Sequence, residues 1–280
     1  MKNLSPFSKK VLRAVKAIPS GSTLSYGEVA RKVGNAGAAR AVGTLMSHNL
    51  DLAVPCHRVI RADGKIGEYN GLRDAKGPKG KLAVLRAEKL EVIRDEVLAL
   101  AESPLYSYRV ENGYFPVIGE GSHTAHIMFV GEAPGETEAK TAKPFCGRSG
   151  KLLDELLASI KMDRASVYVT NLVKDRPQAN RDPEPAEIAL YAPFLERQID
   201  IIQPKVIATL GRHSMKFVFE KYGLSAELRP ISKIHGQVFQ AIASYGPVTV
   251  VALYHPAAAL YNGSMKPTLI EDFKVLSKYK

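Results

Sequence analysis

Short apolar runs that stop abruptly at small or polar residues decide the architecture of the last two thirds of this chain. His126-Ile-Met-Phe-Val130 halts at Gly131, Ser166 to Asn171 forms a second run, Val206 to Leu210 halts at Gly211, and Val248 to Tyr254 halts at His255-Pro256. Runs this short and this apolar read as strands buried on both faces. Leu152 to Ile160 and Glu187 to Gln203 carry helical spacing between them. Strands alternating with helices predict an α/β chain whose larger domain is three-layered around a mostly parallel central sheet. In such sheets ligands bind beyond the carboxyl ends of the strands. Glu132, Asn171 and His255 all fall at such ends, which makes them candidate catalytic residues.

The opening stretch follows different rules. Phe7, Val11, Leu12 and Val15 recur at helical spacing until Ile18-Pro19 breaks the pattern. Ser25 is placed to cap a helix running to Val33, with Glu28 as its capping-box partner. A second helix over Ala36 to Ser47 carries Arg40 on a small, smooth surface, and two short helices joined by a Gly-Asn turn suggest a helix-turn-helix. From Leu82 to Leu100 the pattern becomes a charged, Leu- and Val-rich helix, and a boundary is placed there, giving domains at 1–90 and 91–280. Ser103 to His126 reads as loop-rich.

Charge separates the same two parts. Residues 1–90 hold 17 basic against 6 acidic residues, and the remainder holds 22 of each, so the net +11 belongs to the first third. A segment so basic suits a polyanion, because neutralising phosphates releases condensed counterions. With only Cys56 and Cys146 there is no disulfide framework and no multi-cysteine metal site, which fits a reducing cytoplasm. No apolar run approaches the roughly 20 residues that span a bilayer. No membrane partner is expected, and the plain expectation is a monomer.

Cys56, followed by His57 and Arg58, has the makings of an activated thiolate, although sequence adjacency proves no hydrogen bond and a buried structural cysteine would look the same. The surrounding runs are more specific: Leu24-Ser-Tyr26-Gly-Glu-Val-Ala30, Ala38-Ala-Arg40-Ala-Val-Gly43, Asn49, Pro55-Cys-His-Arg-Val59, Gly64-Lys-Ile-Gly67, Tyr69 and Glu88. Together they resemble the O6-alkylguanine-DNA alkyltransferases. The resemblance implies a winged helix-turn-helix in which Tyr26 and Arg40 help rotate the damaged guanine out of the stack and Tyr69 lies in the lesion-binding loop. It further implies that Cys56 takes the alkyl group irreversibly, with His57 as base, Glu88 orienting that imidazole and Asn49 supporting the network. Two departures from the pattern are a spacing of seven between Asn49 and Cys56 and Leu72 in place of a second Gly, which bear on the range of lesions accepted.

The second part carries Val130-Gly-Glu-Ala-Pro-Gly135 with Glu138, Lys143-Pro-Phe145-Cys-Gly-Arg-Ser-Gly150, Val169-Thr-Asn171, Asn180-Arg-Asp-Pro183, His235-Gly236 and Tyr254-His-Pro256. These runs resemble the uracil-DNA glycosylases of the thermophile, iron-sulfur type (family 4). The resemblance implies that Phe145 stacks on a flipped uracil, Asn171 reads its polar edge, His255 stabilises the departing O2, Glu132 orients or activates water, and Leu260 with Tyr261 wedges into the duplex. It also implies a four-cysteine iron-sulfur cluster, but the corresponding positions here are Leu100, Ser103, Asp175 and Tyr191, so no cofactor is expected. Tyr106, Tyr108, Tyr114 and Tyr191 are expected to support that region by apolar packing instead. The whole reads as a bifunctional repair enzyme acting on DNA that contains O6-alkylguanine or uracil. Two other readings stay open: an active alkyltransferase fused to a non-catalytic lesion-binding module, and a DNA-binding regulator that senses alkylation through Cys56.

Overall fold

In the computed structural model, which describes residues 5–19, 22–47, 49, 54–62 and 77–279, helix α1 (Pro6–Lys16) starts where the Ser5 hydroxyl accepts the backbone N–H of Ser8, with proline at the first helical position. Both choices suit a helix start, since the hydroxyl satisfies an orphan donor and proline has none to lose. Strand β1 (Leu24–Ser25) runs straight into helix α2 (Tyr26–Lys32). The Ser25 hydroxyl accepts from the Glu28 N–H at 3.1 Å and the Glu28 carboxylate accepts from the Ser25 N–H at 2.6 Å, the reciprocal capping box that the sequence predicts. Helix α3 (Ala39–Ser47) begins three residues later than its spacing suggests, because Gly34 takes a left-handed φ of +82° and Ala38 N–H closes a turn on the Asn35 carbonyl. β1 pairs in parallel with β2 (Val59–Ile60). Val11, Val15, Val29, Ala30, Val42, Met46, Val54 and Val59 form the core of this first unit, and Cys56 is buried among them.

The chain divides into two compact units, Met1–Lys89 and Leu90–Lys280, and the division falls inside helix α4 (Gly77–Leu98). The second unit continues with helix α5 (Tyr106–Glu111) and strand β3 (Glu120–Gly121), so the stretch read as loop-rich contains a short helix and an edge strand. Then follow β4 (Ile127–Gly131), α6 (Glu136–Thr141), α7 (Arg148–Ser159), β5 (Tyr168–Asn171), α8 (Pro185–Ile202), β6 (Val206–Leu210) and α9 (Arg212–Lys221). The chain closes with α10 (Ile231–Ile234), β7 (Val238–Ala243), β8 (Gly246–Leu253), α11 (Ala257–Tyr261) and α12 (Lys266–Phe273).

The sheet order is β3-β5-β4-β6-β8-β7, with β5, β4, β6 and β8 parallel and antiparallel strands at both edges. Alternation along each strand feeds two cores. On β4, Met128 and Val130 join α8 residues such as Leu195 and Ile199, while Ile127 and Phe129 join Leu153 and Leu156 of α7 and Phe273 of α12. Covering both faces makes the strands apolar throughout, which is why they read as continuous runs. β7 went unpredicted: its burial alternates only weakly, and only its register with β8 marks it as a strand. Among the described residues, no helix is long and apolar enough to cross a membrane.

Candidate functional site

Because β5 lies on one side of β4 and β6 on the other, the chain reverses direction across the sheet between β4 and β6, and a crevice opens where the two loops part. The carboxyl ends of β4, β5 and β8 deliver Glu132, Asn171 and His255 to a cavity of about 680 Å³ beside this crevice, with Phe145 in its wall and Leu260 and Tyr261 at its edge. The three residues singled out by their place after strands therefore share one site.

Asn171 is 1 % exposed, and its Oδ1 has no hydrogen-bond partner. A buried carbonyl oxygen left unpaired costs about 1–3 kcal/mol, so this atom is held ready for a donor that enters the cavity. Gly131 leaves the room: a Cβ there would sit 2.3 Å from Asn171 Oδ1 and 2.6 Å from the Phe145 ring. Gly131→Ala is therefore expected to reduce productive binding of any planar ligand in this cavity at least tenfold, measurable as a rise in KM or Kd. The Phe145 backbone is left-handed at φ +49°, a strained position that turns its ring into the site, 5.6 Å from the His255 ring and tilted by 30°.

His255 is neutral at physiological pH, since desolvation pushes its pKa down to about 4. Its Nδ1 accepts the Ala257 N–H at 3.1 Å, which fixes the proton on Nε2 as a neutral donor. Glu132 Oε1 accepts the backbone N–H of His213 at 2.9 Å, and burial raises its pKa from the ordinary carboxylate value. Gly211, at φ +105°, lets the start of α9 approach so closely: a Cβ there would lie 2.4 Å from Glu132 Oε1. His213 and Asp182, which line the approach to Glu132, were not found from sequence; only the fold brings them there.

Tyr261 is 90 % and Leu260 41 % exposed, an unusual display of large apolar side chains beside a polar cavity. Lys174 is fully buried below Asn171, donating to the Asn171 carbonyl at 2.5 Å and to Thr170 Oγ1 at 2.9 Å. Desolvation holds its amine well below the usual lysine range, and the bonds anchor the backbone that carries Asn171.

In the first unit, Cys56 is 1 % exposed and accepts a hydrogen bond from Asn49 Nδ2 at 3.3 Å. Tyr26 packs against the same core, and burial, with the nearby thiol, raises its pKa. Arg40 stands exposed in the first turn of α3. Arg58 donates to the Ile18 carbonyl at 2.8 Å and approaches Glu88 to 3.7 Å. Tyr69 and the His57 side chain lie outside the described residues, and with them the expected role of Glu88 towards His57; among the described residues Glu88 stands beside Arg58.

The four positions at which the resemblance implies cluster cysteines converge, but on one another. Ser103 Oγ and the Tyr191 hydroxyl are 2.8 Å apart, and that hydroxyl donates to Asp175 Oδ2 at 2.6 Å. Arg109 binds the Asp175 carboxylate at 2.9 and 3.2 Å and also donates to the carbonyls of Val97 and Leu98 at the end of α4. Leu100 is buried in the apolar core alongside. A hydroxyl, a phenol and a carboxylate bonded to one another and to Arg109, with a leucine packed in the core beside them, do not fit a cluster that binds thiolates. The tyrosines do pack as expected, Tyr191 in the apolar core against Phe194 and Tyr108 edge-on to Tyr114, and they add polar contacts: the Tyr191 hydroxyl donates to Asp175, Tyr106 lies under the Arg109 guanidinium, and Tyr114 receives a hydrogen bond from Arg176.

Residues 118–274 match the model of the uracil DNA glycosylase superfamily, and residues 6–90 match that of the 6-O-methylguanine DNA methyltransferase DNA-binding domain. The chain is 46% identical over 188 residues to a Type-4 uracil-DNA glycosylase of Sulfurisphaera tokodaii, covering 67% of this chain and 83% of that protein. It is 40% identical over 191 residues to the Archaeoglobus fulgidus protein of the same name, covering 68% of this chain and 93% of that one. It is also 52% identical over 73 residues to a methylated-DNA--protein-cysteine methyltransferase of Mycolicibacterium paratuberculosis, covering 26% of this chain and 44% of that protein, so the first unit spans less than half of that relative. With its match over more than half its length, the chain belongs to the uracil DNA glycosylase superfamily, and it carries that domain behind a methyltransferase-type DNA-binding domain.

Proposed function

We propose that this chain is a bifunctional DNA-repair enzyme that excises uracil through its second unit and removes alkyl groups from O6-alkylguanine through Cys56 in its first, acting as a monomer on cytoplasmic DNA. The observation that carries the first activity is the unpaired, buried Asn171 Oδ1 facing a cavity walled by Phe145 and His255. Uracil offers what these groups lack: an N3–H for Asn171 Oδ1, a flat face for Phe145, and an O2 that gains negative charge as the glycosidic bond breaks and can be met by His255 Nε2–H. A neutral imidazole suits that last role because it donates without losing its proton. Glu132, at the crevice, would draw a proton from the water that attacks the oxocarbenium-like sugar. A base reaches such a cavity only if it leaves the stack, and the exposed Leu260 and Tyr261 are placed to fill the space it vacates.

In the alkyl transfer, the Cys56 thiolate attacks the alkyl carbon, the carbon–O6 bond breaks, and its electron pair stays on the guanine. Asn49 supports the thiolate by its hydrogen bond, and the base role of His57 and the part of Tyr69 in the lesion loop follow from the resemblance. Tyr26 and the exposed Arg40 would handle the rotated nucleotide and the gap it leaves. No iron-sulfur cluster is required in this reading, since the corresponding positions are occupied by a self-satisfied polar network.

The test uses two oligonucleotides, one with uracil and one with O6-methylguanine, against the full chain and its Cys56→Ser variant. Wild type should cleave the first after alkali treatment and demethylate the second once per molecule. The variant should keep the excision and lose the transfer. Wild type that leaves uracil untouched would make the second unit a lesion-binding module.

A further inference from the structure

Glu132 sits at the crevice between β4 and β6, and the groups around it come from several elements. Arg212 and His213 stand on α9, Asp182 and Arg181 on the segment before α8, Glu136 and Glu138 on α6, Arg148 on α7, and His255 after β8. Several are engaged elsewhere: Arg181 with Glu187 at 2.9 Å, Glu138 with the N–H groups of Cys146 and Gly147, and Glu136 with Lys140. His213 and Asp182 differ, because their ring nitrogen and carboxylate oxygen lie within 4.8 Å of the Glu132 carboxylate and of each other.

We infer that Asp182 and His213 form a charge-balancing dyad that sets the ionisation of Glu132, with His213 as a positioning residue that never touches the substrate. The inference rests on the reading of the cavity as the excision site. In the neutral ring, His213 Nε2 accepts from Arg212 Nε at 3.2 Å; with a proton on Nε2 that bond is exchanged for Asp182 Oδ1, 3.6 Å away. Arg212 also pairs with Asp182, so a guanidinium bridges the imidazole and the carboxylate of the pair. The imidazolium favours an ionised Glu132, and Asp182 opposes it. The backbone N–H that positions Glu132 is independent of the side chain at 213, so charge and orientation can be separated.

The measurement is a carboxyl carbon-13 NMR titration of the full chain labelled at glutamate Cδ, with the Glu132→Gln variant assigning the signal. Each sample is also assayed for the pH dependence of single-turnover uracil excision. His213→Gln should move the Glu132 titration, and with it the acidic limb of the excision profile, up by about half a pH unit. Asp182→Asn should move both down by a similar amount, the size expected of one charge at this range in a water-like dielectric. Unmoved titrations, or shifts of both variants in the same direction, would overturn the dyad. If wild type excises no uracil while the NMR shifts appear, the dyad stands and the reading of the cavity falls.

Discussion

Replacing Glu132 by Gln is expected to slow uracil excision by roughly a thousandfold, in the middle of the range for a positioned acid–base group. Gln keeps the side-chain length and an oxygen that can still accept the His213 N–H seen at 2.9 Å. Only the charge and the basicity are lost. Affinity for uracil-containing DNA and thermal stability should therefore stay close to wild type, with the whole loss in the single-turnover rate constant. The wild-type pH profile should show the same group: burial raises the Glu132 pKa, so excision, present above that value, is lost as pH falls through it, at a higher pH than an ordinary carboxylate would give. His255 contributes no limb near neutrality, because its pKa of about 4 leaves it uncharged there. A Glu132→Gln enzyme of wild-type rate would remove Glu132 from the chemistry.

Arg109→Met is expected to cause the largest loss of stability, about 3–5 kcal/mol, the usual cost of stranding one member of a buried ion pair. Arg109 is 4 % and Asp175 1 % exposed, and the guanidinium spans the Asp175 carboxylate and the carbonyls of Val97 and Leu98. Its removal takes one donor from each of the Val97 and Leu98 carbonyls and leaves the Asp175 carboxylate with the Tyr191 hydroxyl but no cation. For a unit of this size the change corresponds to a melting temperature lower by roughly 10 °C. Differential scanning calorimetry would read it, and a shift under 2 °C would show that the network carries little of the fold. Incubation of the wild type with iron and sulfide under reducing conditions should leave its melting temperature and its visible spectrum unchanged.

Much of this was legible in the sequence because the strands that carry the site are the most regular part of the chain. Val206–Leu210 was placed to the residue, and Glu132, Asn171 and His255 were identified by standing at strand ends. The capping box at Ser25 and Glu28 is a local device and so was readable locally. What escaped depends on contacts distant in sequence. Arg109 meets Asp175 across 66 residues, and His213 meets Glu132 across 81; neither arginine nor histidine carries a local pattern that announces such a partner. The apolar packing of Tyr191 was legible, but the partners of its hydroxyl were not, since a helix pattern shows which residues are buried and not where a hydroxyl points.

If the polar network stands in for a cluster, as proposed, a loop tied down by Arg109, Asp175, Tyr191 and Ser103 is finished when the chain has folded. On that reading its maturation would be independent of iron supply and of the machinery that builds sulfide clusters. A protein built in this way would keep its second unit intact when iron is scarce or oxygen is abundant, which would widen the range of conditions in which it can work.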